Sequence, residues 1–460
     1  MSFTTNYIFL LILLFFALFF TVFNPRIFAF NVRYARAKDY FIAVYSALFY
    51  AIYYPPAILL VLYYALIANH AKCLEGDVKL KTLWVYILLA LVPLIFFKYF
   101  DYFMDVFGLQ KLGVLLPLGL SFYAFSVIGY FVDLYAKRTK SFENYFECLL
   151  FVAFWPHLAS GPILRAKHIF TNILEPCKLT LYTFTLAMIL VASGLVKKLL
   201  IADNIGAYVN WNVGYGVGGM SILEAWATIL GFCAQIYADF SGYSDMAIGF
   251  ALLMGFRLKA NFNYPYLACS VTEFWHRWHI SLSTWFRDYL YIPLGGSRCS
   301  KPRMYFNLFI VFLLSGVWHG AGLGFVLWGA VHGLYIVLEK AFYRPYMKIP
   351  KLLRWGITMI AVVVAWAFFR LPYNDALILI SKMFGGFGVD FKDTSPYYVV
   401  VIFAMLIFVA LDHICRFYKV DENGEVVIHK SLAGIFVLGV LLYLALNFSG
   451  SPLPFIYFEF

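Results

Sequence analysis

The chain has 460 residues, of which 63% are hydrophobic, 21% aromatic and 13% charged, and its formal net charge is +11. Soluble domains carry roughly 25% charged residues, so this composition excludes a soluble globular enzyme, a disordered chain and a disulfide-rich secreted module. The basic excess comes without a nucleic-acid motif or a long basic run, and no nucleic acid is expected as a partner. In a membrane protein such an excess collects in cytoplasmic loops beside anionic lipid.

A membrane-crossing helix needs about 20 mostly apolar residues. Apolar runs predict helices near 6–24, 40–67, 83–100, 112–134, 145–163, 178–200, 222–238, 246–257, 305–317, 322–340, 353–370, 398–415 and 431–449. Several are too short to cross alone. The expectation is about 11 crossings plus re-entrant pieces, because irregular backbone at membrane depth persists only where protein or water surrounds it. The first run lacks a basic stretch before it and a small-residue cleavage site after it, so it reads as a retained span. Arg26, Arg33, Arg36 and Lys38 follow it, which favours a cytoplasmic first loop and an outside N-terminus. Asn210 to Gly219 reads as a Gly-rich interface loop, and Val420 to His429 as a soluble loop. The seven cysteines are dispersed without a CxxC pair, which argues against a disulfide framework or a zinc ribbon.

Three clusters place polar groups where lipid would make them costly. Ala238 to Ala247 sets Asp239, Ser241, Ser244 and Asp245 between two apolar runs, with Gly242 permitting a tight turn. It is either a polar turn at the membrane surface or a cavity wall whose carboxylates orient basic neighbours. Thr272 to Asp288 holds Trp275, His276, Arg277, Trp278, His279, Ser283 and Arg287. On one helical wheel Trp278, Leu282, Trp285 and Phe286 share a side, His276, Ser283 and Arg287 share the other, and His279 falls on the border. The segment is too polar to cross lipid and predicts a re-entrant or interfacial helix. Leu313 to Gly333 holds Trp318 and His319 among Gly316, Gly320, Gly322 and Gly324, with His332 near its end. Small residues let helices approach, and a neutral imidazole there is suited to taking a proton near pH 7. His276, His279 and His319 come without an HExxH or a Cys or carboxylate set, so no metal is expected. A GxSxG elbow, a P-loop and a GxGxxG are also missing from the sequence.

Five stretches taken together are familiar: WPHLASGPILR at 155–165, DFSGYSDMAIG at 239–249, FWHRWHISLSTWFRDYLYIPLGGSR at 274–298, GVWHGA at 316–321 and the closing FIYFEF. From about residue 110 onward the chain resembles the membrane-bound O-acyltransferase family, in its bacterial branch that acetylates alginate or peptidoglycan. The resemblance implies one integral-membrane domain over 1–460, with N-terminal helices to 110 and a family-like catalytic core over 111–460. It implies an all-α polytopic fold, a ring of about 11 transmembrane helices plus re-entrant helices around a thinned central tunnel.

The resemblance also makes His319 the near-invariant histidine and His279 the second conserved polar position, which holds His or Asn across the wider family. The chemistry it implies is acetyl transfer from cytoplasmic acetyl-CoA to an extracytoplasmic glycan, with His319 as base and His279 orienting or stabilising. Asp239, Ser241, Asp245, Trp275, His276, Arg277, Trp278, Ser283, Arg287, Arg298 and Trp318 are the expected substrate or donor contacts. Arg287, Arg298, Lys301 and Arg303 either meet the donor's phosphates or anchor the cytoplasmic side. His276 stands where members of this branch more often have Arg. The implied setting is multi-pass in the bacterial inner membrane among membrane lipids. A periplasmic SGNH-type O-acetyltransferase or similar acceptor protein is the implied partner, and no tightly bound cofactor is expected. Two other readings compete: D-alanyl transfer to teichoic acid, and a transporter, since broken helices with buried polar groups also mark transport sites.

Overall fold

The computed structural model describes residues 6–23, 32–53, 55–157, 160–385, 418–428, 432–448, 450 and 452–456. In chain order the helices are α1 (Asn6–Val22), α2 (Val32–Tyr53), α3 (Ile58–His70), α4 (Leu80–Val106), α5 (Leu120–Tyr135), α6 (Tyr145–Ala153), α7 (Ala166–Leu174), α8 (Leu181–Leu195) and α9 (Asp203–Gly214). There follow α10 (Ile222–Leu253), α11 (Val271–Arg277), α12 (Ile280–Phe286), α13 (Lys301–His319), α14 (Leu323–Ala341), α15 (Tyr343–Met347), α16 (Lys351–Arg370), α17 (Tyr373–Phe384) and α18 (Leu432–Phe448). The described strands, β1 (Tyr418–Val420) and β2 (Val426–Ile428), pair as a hairpin. Among the described residues five helical stretches are long and apolar enough to cross a bilayer: 55–75, 80–106, 181–214, 323–341 and 351–370. The chain is therefore an all-α, multi-pass membrane protein. The expected span at 398–415 and the last residues, 457–460, lie outside the described residues.

The chain divides into two compact units. The first comprises 1–191, 243–260 and 421–426. In it α2 and α3 pack on α6, and α4 on α5. Phe15 and Trp155 are fully buried and meet edge-on at 5.8 Å, a contact that joins α1 to the segment after α6. The second comprises 192–242, 261–420 and 427–460. Its tightest pairing is α13 against α14, with α16 beside α14. Glycines set that approach: a methyl on Gly316 would fall 3.1 Å from the Gly329 Cα, and one on Gly324 only 2.6 Å from the Phe368 carbonyl oxygen.

Several expected elements are corrected. The run 40–67 is not one helix; α2 ends before Pro55 and Pro56, whose missing amides cannot continue the ladder, and α3 starts at Ile58. The run 112–134 is helical only from Leu120. Its first residues are drawn out by the Asp101 carboxylate, which accepts from the amides of Leu112 and Val114 at 2.9 Å each. The run 145–163 stops as helix at Ala153, just before Trp155–Pro156. Much of the supposed interface loop, Asn210 to Gly219, belongs to α9, and Val420 to Ile428 is hairpin. The separate runs 222–238 and 246–257 are one helix through Ala238 to Ala247, so Gly242 makes no turn. It serves close approach instead: a methyl there would lie 2.9 Å from the Gly194 carbonyl oxygen and 3.1 Å from the Lys197 Cβ.

Candidate active site

The second unit carries both candidate histidines, and the chain presents them in different ways. Ser270 caps α11 by accepting from the Glu273 amide at 3.0 Å, and Glu339 accepts from the amides of Val271 and Thr272 at 2.8 and 3.2 Å. The helix then breaks. Trp278 is extended, and His279 takes a left-handed backbone, φ 43° and ψ 54°. The single wheel drawn for Thr272 to Asp288 is thereby corrected, since α11 and α12 do not share an axis register. A non-glycine residue held left-handed costs about 1–2 kcal/mol, so something must hold this one. Asn261 does. Its carbonyl oxygen accepts from the Ile280 amide at 2.9 Å, and its Oδ1 accepts from the Ser281 amide and hydroxyl at 3.1 and 2.9 Å. That Oδ1 also lies 3.3 Å from His279 Nδ1. His279 is completely buried, with the Phe240 ring edge-on at 4.7 Å.

His319 is the last residue of α13, followed by an extended Gly320. It is 5% exposed. Trp318, Trp328 and Phe369 stand edge-on to its ring at 4.8, 5.0 and 5.1 Å. Trp318 links the two histidines, since its centroid is also 6.2 Å from that of His279. The glycines that admit this packing are filled by neighbours: a side chain on Gly320 would run into the Phe325 ring. Below Trp328 lies His332, whose centroid is 4.9 Å away and whose Nδ1 accepts from Trp275 Nε1 at 3.3 Å.

The other sequence candidates scatter around this core. Trp275 and Trp278 are buried in its aromatic wall, Trp278 stacking on Phe274 at 5.6 Å. Arg277 pairs with Glu273 at 2.7 Å, and Ser283 donates to the Trp278 carbonyl at 3.3 Å. His276, Arg287, Arg298, Lys301 and Arg303 are exposed; Arg287 pairs with its neighbour Asp288 at 2.8 Å, and Arg303 lies over Phe306 at 5.6 Å. Ser241 is fully buried on α10, and Asp245, also buried on α10, belongs to the first unit.

Asp239 joins a buried ion cluster. Lys198 Nζ lies 2.9 Å from Asp239 and 2.8 Å from Asp203, all three side chains at most 3% exposed. The chain's last described segment completes it: Lys198 donates to the Leu453 carbonyl at 3.0 Å, and the Ile456 amide donates to Asp239 at 2.6 Å. Lys198 comes inward on a π-helical segment, Val196–Ala202, which also brings Lys197 inward, 3.4 Å from the Tyr418 hydroxyl. Lys197, Lys198 and Asn261 were missed by sequence reasoning. The signal for the lysines was present, as two cations within an apolar run. Asn261 carried none, because its role depends on where α12 begins. Among the described residues no group of three or more His, Cys, Asp or Glu is arranged to hold a metal ion.

The family model described as the membrane-bound O-acyltransferase family matches residues 136–381. Over 278 residues the chain is 43% identical to a protein of Pseudomonas syringae pv. tomato named "Probable alginate O-acetylase AlgI", covering 59% of this chain and 52% of that one. It is 36% identical over 349 residues to the peptidoglycan O-acetyltransferase of Helicobacter pylori, covering 67% and 66%. It is 28% identical over 266 residues to the teichoic acid D-alanyltransferase of Bacillus subtilis, covering 55% and 66%. The chain thus spans about half the length of the Pseudomonas relative. The family match takes in α6 to α16 and every aromatic partner of His319 and His279 named above, and the chain belongs to the membrane-bound O-acyltransferase family.

Proposed function

We propose that the chain is an O-acetyltransferase of the bacterial inner membrane, acting as a single integral-membrane catalytic domain. It moves acetyl from cytoplasmic acetyl-CoA toward the hydroxyl of an extracytoplasmic glycan, peptidoglycan or a secreted polysaccharide such as alginate. A periplasmic SGNH-type transferase or similar acceptor protein completes delivery. The observation that carries the reading is the pair of buried imidazoles that both lie near the Trp318 ring, in a chain whose relatives include proteins named O-acetylases.

In this reading the acceptor hydroxyl attacks the thioester carbonyl, the C–O bond forms, the C–S bond breaks, and the CoA thiolate leaves. His319 takes the hydroxyl proton and returns it to the sulfur. A neutral imidazole can accept a proton near pH 7, which suits His319, walled by the Trp318, Trp328 and Phe369 rings, to that role. His279, braced by Asn261, orients the reacting groups. The aromatic wall excludes water, so the acetyl group passes to the acceptor rather than being hydrolysed. The exposed Arg287 and Arg298 are proposed donor-phosphate contacts.

The test uses the full chain in liposomes with labelled acetyl-CoA, a glycan acceptor and the periplasmic partner transferase on the acceptor side. Label is expected in the glycan with the wild type and not with His319→Ala; full transfer by that variant sinks the reading. D-alanyl transfer is the second reading, favoured by the 28% identity to the Bacillus subtilis protein. Label moving from a D-alanyl carrier protein but not from acetyl-CoA would select it.

A further inference from the structure

A second constellation lies in the first unit. A cavity of about 560 Å³ opens between α7 and α8 and the residues just after α10. Its walls are built by hydrogen bonds. The Asn172 side chain donates to the Arg257 carbonyl at 3.1 Å and accepts from the Arg257 amide at 2.9 Å. The Cys177 amide donates to the Gly255 carbonyl at 2.8 Å. Thr180 and Thr183 cap α8 reciprocally, each hydroxyl accepting from the other's amide, at 3.2 and 2.8 Å.

The charges in this cavity are unequal in their commitments. Arg257 is engaged, with Glu425 at 3.6 Å and with the Cys177 sulfur at 3.2 Å. Lys178 and Lys259 also line the cavity, and neither has a carboxylate within 4 Å among the described residues. Glu175 lines it too, without a cation inside the same limit. His168, also in the wall, reports the local field: burial and then the cations Lys259, Arg165 and Lys167 push its imidazole down to about 4. The candidate membrane span beginning at Leu181 starts at the rim, where Leu174 and Leu181 are 77% and 83% exposed. A cationic cavity is therefore set beside side chains suited to acyl tails.

We propose that this cavity binds a membrane phospholipid headgroup, Lys178 and Lys259 holding its phosphate and Glu175 receiving an ethanolamine ammonium. Charge-assisted hydrogen bonds to phosphate are strong where donors converge, and lysines at a membrane boundary favour lipid phosphate. Nothing in this depends on the acetyl-transfer reading.

The test is native mass spectrometry of the full chain in neutral detergent, titrated separately with phosphatidylethanolamine, phosphatidylglycerol, inorganic phosphate and coenzyme A. The wild type is expected to retain phosphatidylethanolamine, and the Lys178→Ala/Lys259→Ala double variant to bind it at least tenfold more weakly at an unchanged melting temperature. Glu175→Gln is expected to weaken phosphatidylethanolamine about threefold and leave phosphatidylglycerol untouched. Lys178→Arg/Lys259→Arg is expected to retain binding, which controls for folding. Equal lipid retention by wild type and the alanine double variant overturns the proposal. So does complete displacement of lipid by millimolar phosphate or coenzyme A, which would make the cavity a site for soluble phosphates.

Discussion

The second unit buries polar groups in two ways. Around His319 and His279 the described neighbours include rings, Asn261 and Ser281; around Lys198 they include two carboxylates, the Leu453 carbonyl and the Phe455 ring. An imidazole can be buried neutral, at modest cost, and keeps its capacity to accept a proton. A lysine with two aspartates is buried as charges, and each ion depends on the others because several kcal/mol of lost hydration per ion must be offset. The first arrangement leaves chemistry available. The second consumes its groups in holding the Val196–Ala202 segment, α9, Asp239 of α10 and the 452–456 segment together.

The sharpest way to break this contrast is to substitute one member of each. His319→Ala is expected to lower acetyl transfer by about 10²–10⁴-fold, the usual contribution of a placed base, with the melting temperature nearly unchanged. Lys198→Met should do the reverse and destabilise the chain by about 3–5 kcal/mol by leaving two carboxylates unpaired. Adding Asp239→Asn to it should recover part of that loss, and chemical denaturation of the two variants reads the difference. Equal destabilisation by His319→Ala and Lys198→Met would erase the distinction.

His279 belongs to both descriptions, since its backbone is strained and the proposed function gives its imidazole an orienting role. His279→Asn should unfold at a higher temperature than His279→Ala, by an amount corresponding to about 1 kcal/mol, because asparagine tolerates the left-handed backbone. His279→Ala should lose activity and His279→Asn should keep part of it, and comparing that with the stability difference separates backbone strain from the side chain's role.

The smallest effect serves as a background. His168 stands outside the spans, with its folded pKa depressed from 6.5 to about 4 by burial and nearby cations. Below pH 6.5 the unfolded chain takes up a proton there that the folded chain refuses until about pH 4. Stability present above pH 6.5 is therefore lost progressively as pH falls through that window. Melting temperatures measured from pH 7 to pH 4 should decline less in His168→Gln. Whatever decline remains belongs to groups elsewhere.

How much of this was legible in the residues differs from element to element. The apolar runs that became α4, α14 and α16 could be read directly, because lipid demands about 20 apolar residues and a backbone bonded to itself. His319 was legible as an ionisable group among glycines and apolar side chains. Asp239 was legible as a costly carboxylate, read either as part of a polar surface turn or as a cavity-wall group; it lies mid-helix, and its partner Lys198 was not legible. Gly242 was misread, because a glycine in the sequence announces conformational freedom while α10 uses its missing side chain to admit Gly194.

By itself the sequence determined an all-α, multi-pass chain and the histidines a reader should watch, since hydropathy and the placement of ionisable residues are properties of short windows. Only the tertiary structure decided that the helix breaks at Trp278–His279, that Asn261 braces the break, and that Lys198 meets Asp203 and Asp239. Those outcomes follow from contacts between residues far apart in the chain. The energy that settles them, burial of charge and relief of backbone strain, has no value until the partners are in place.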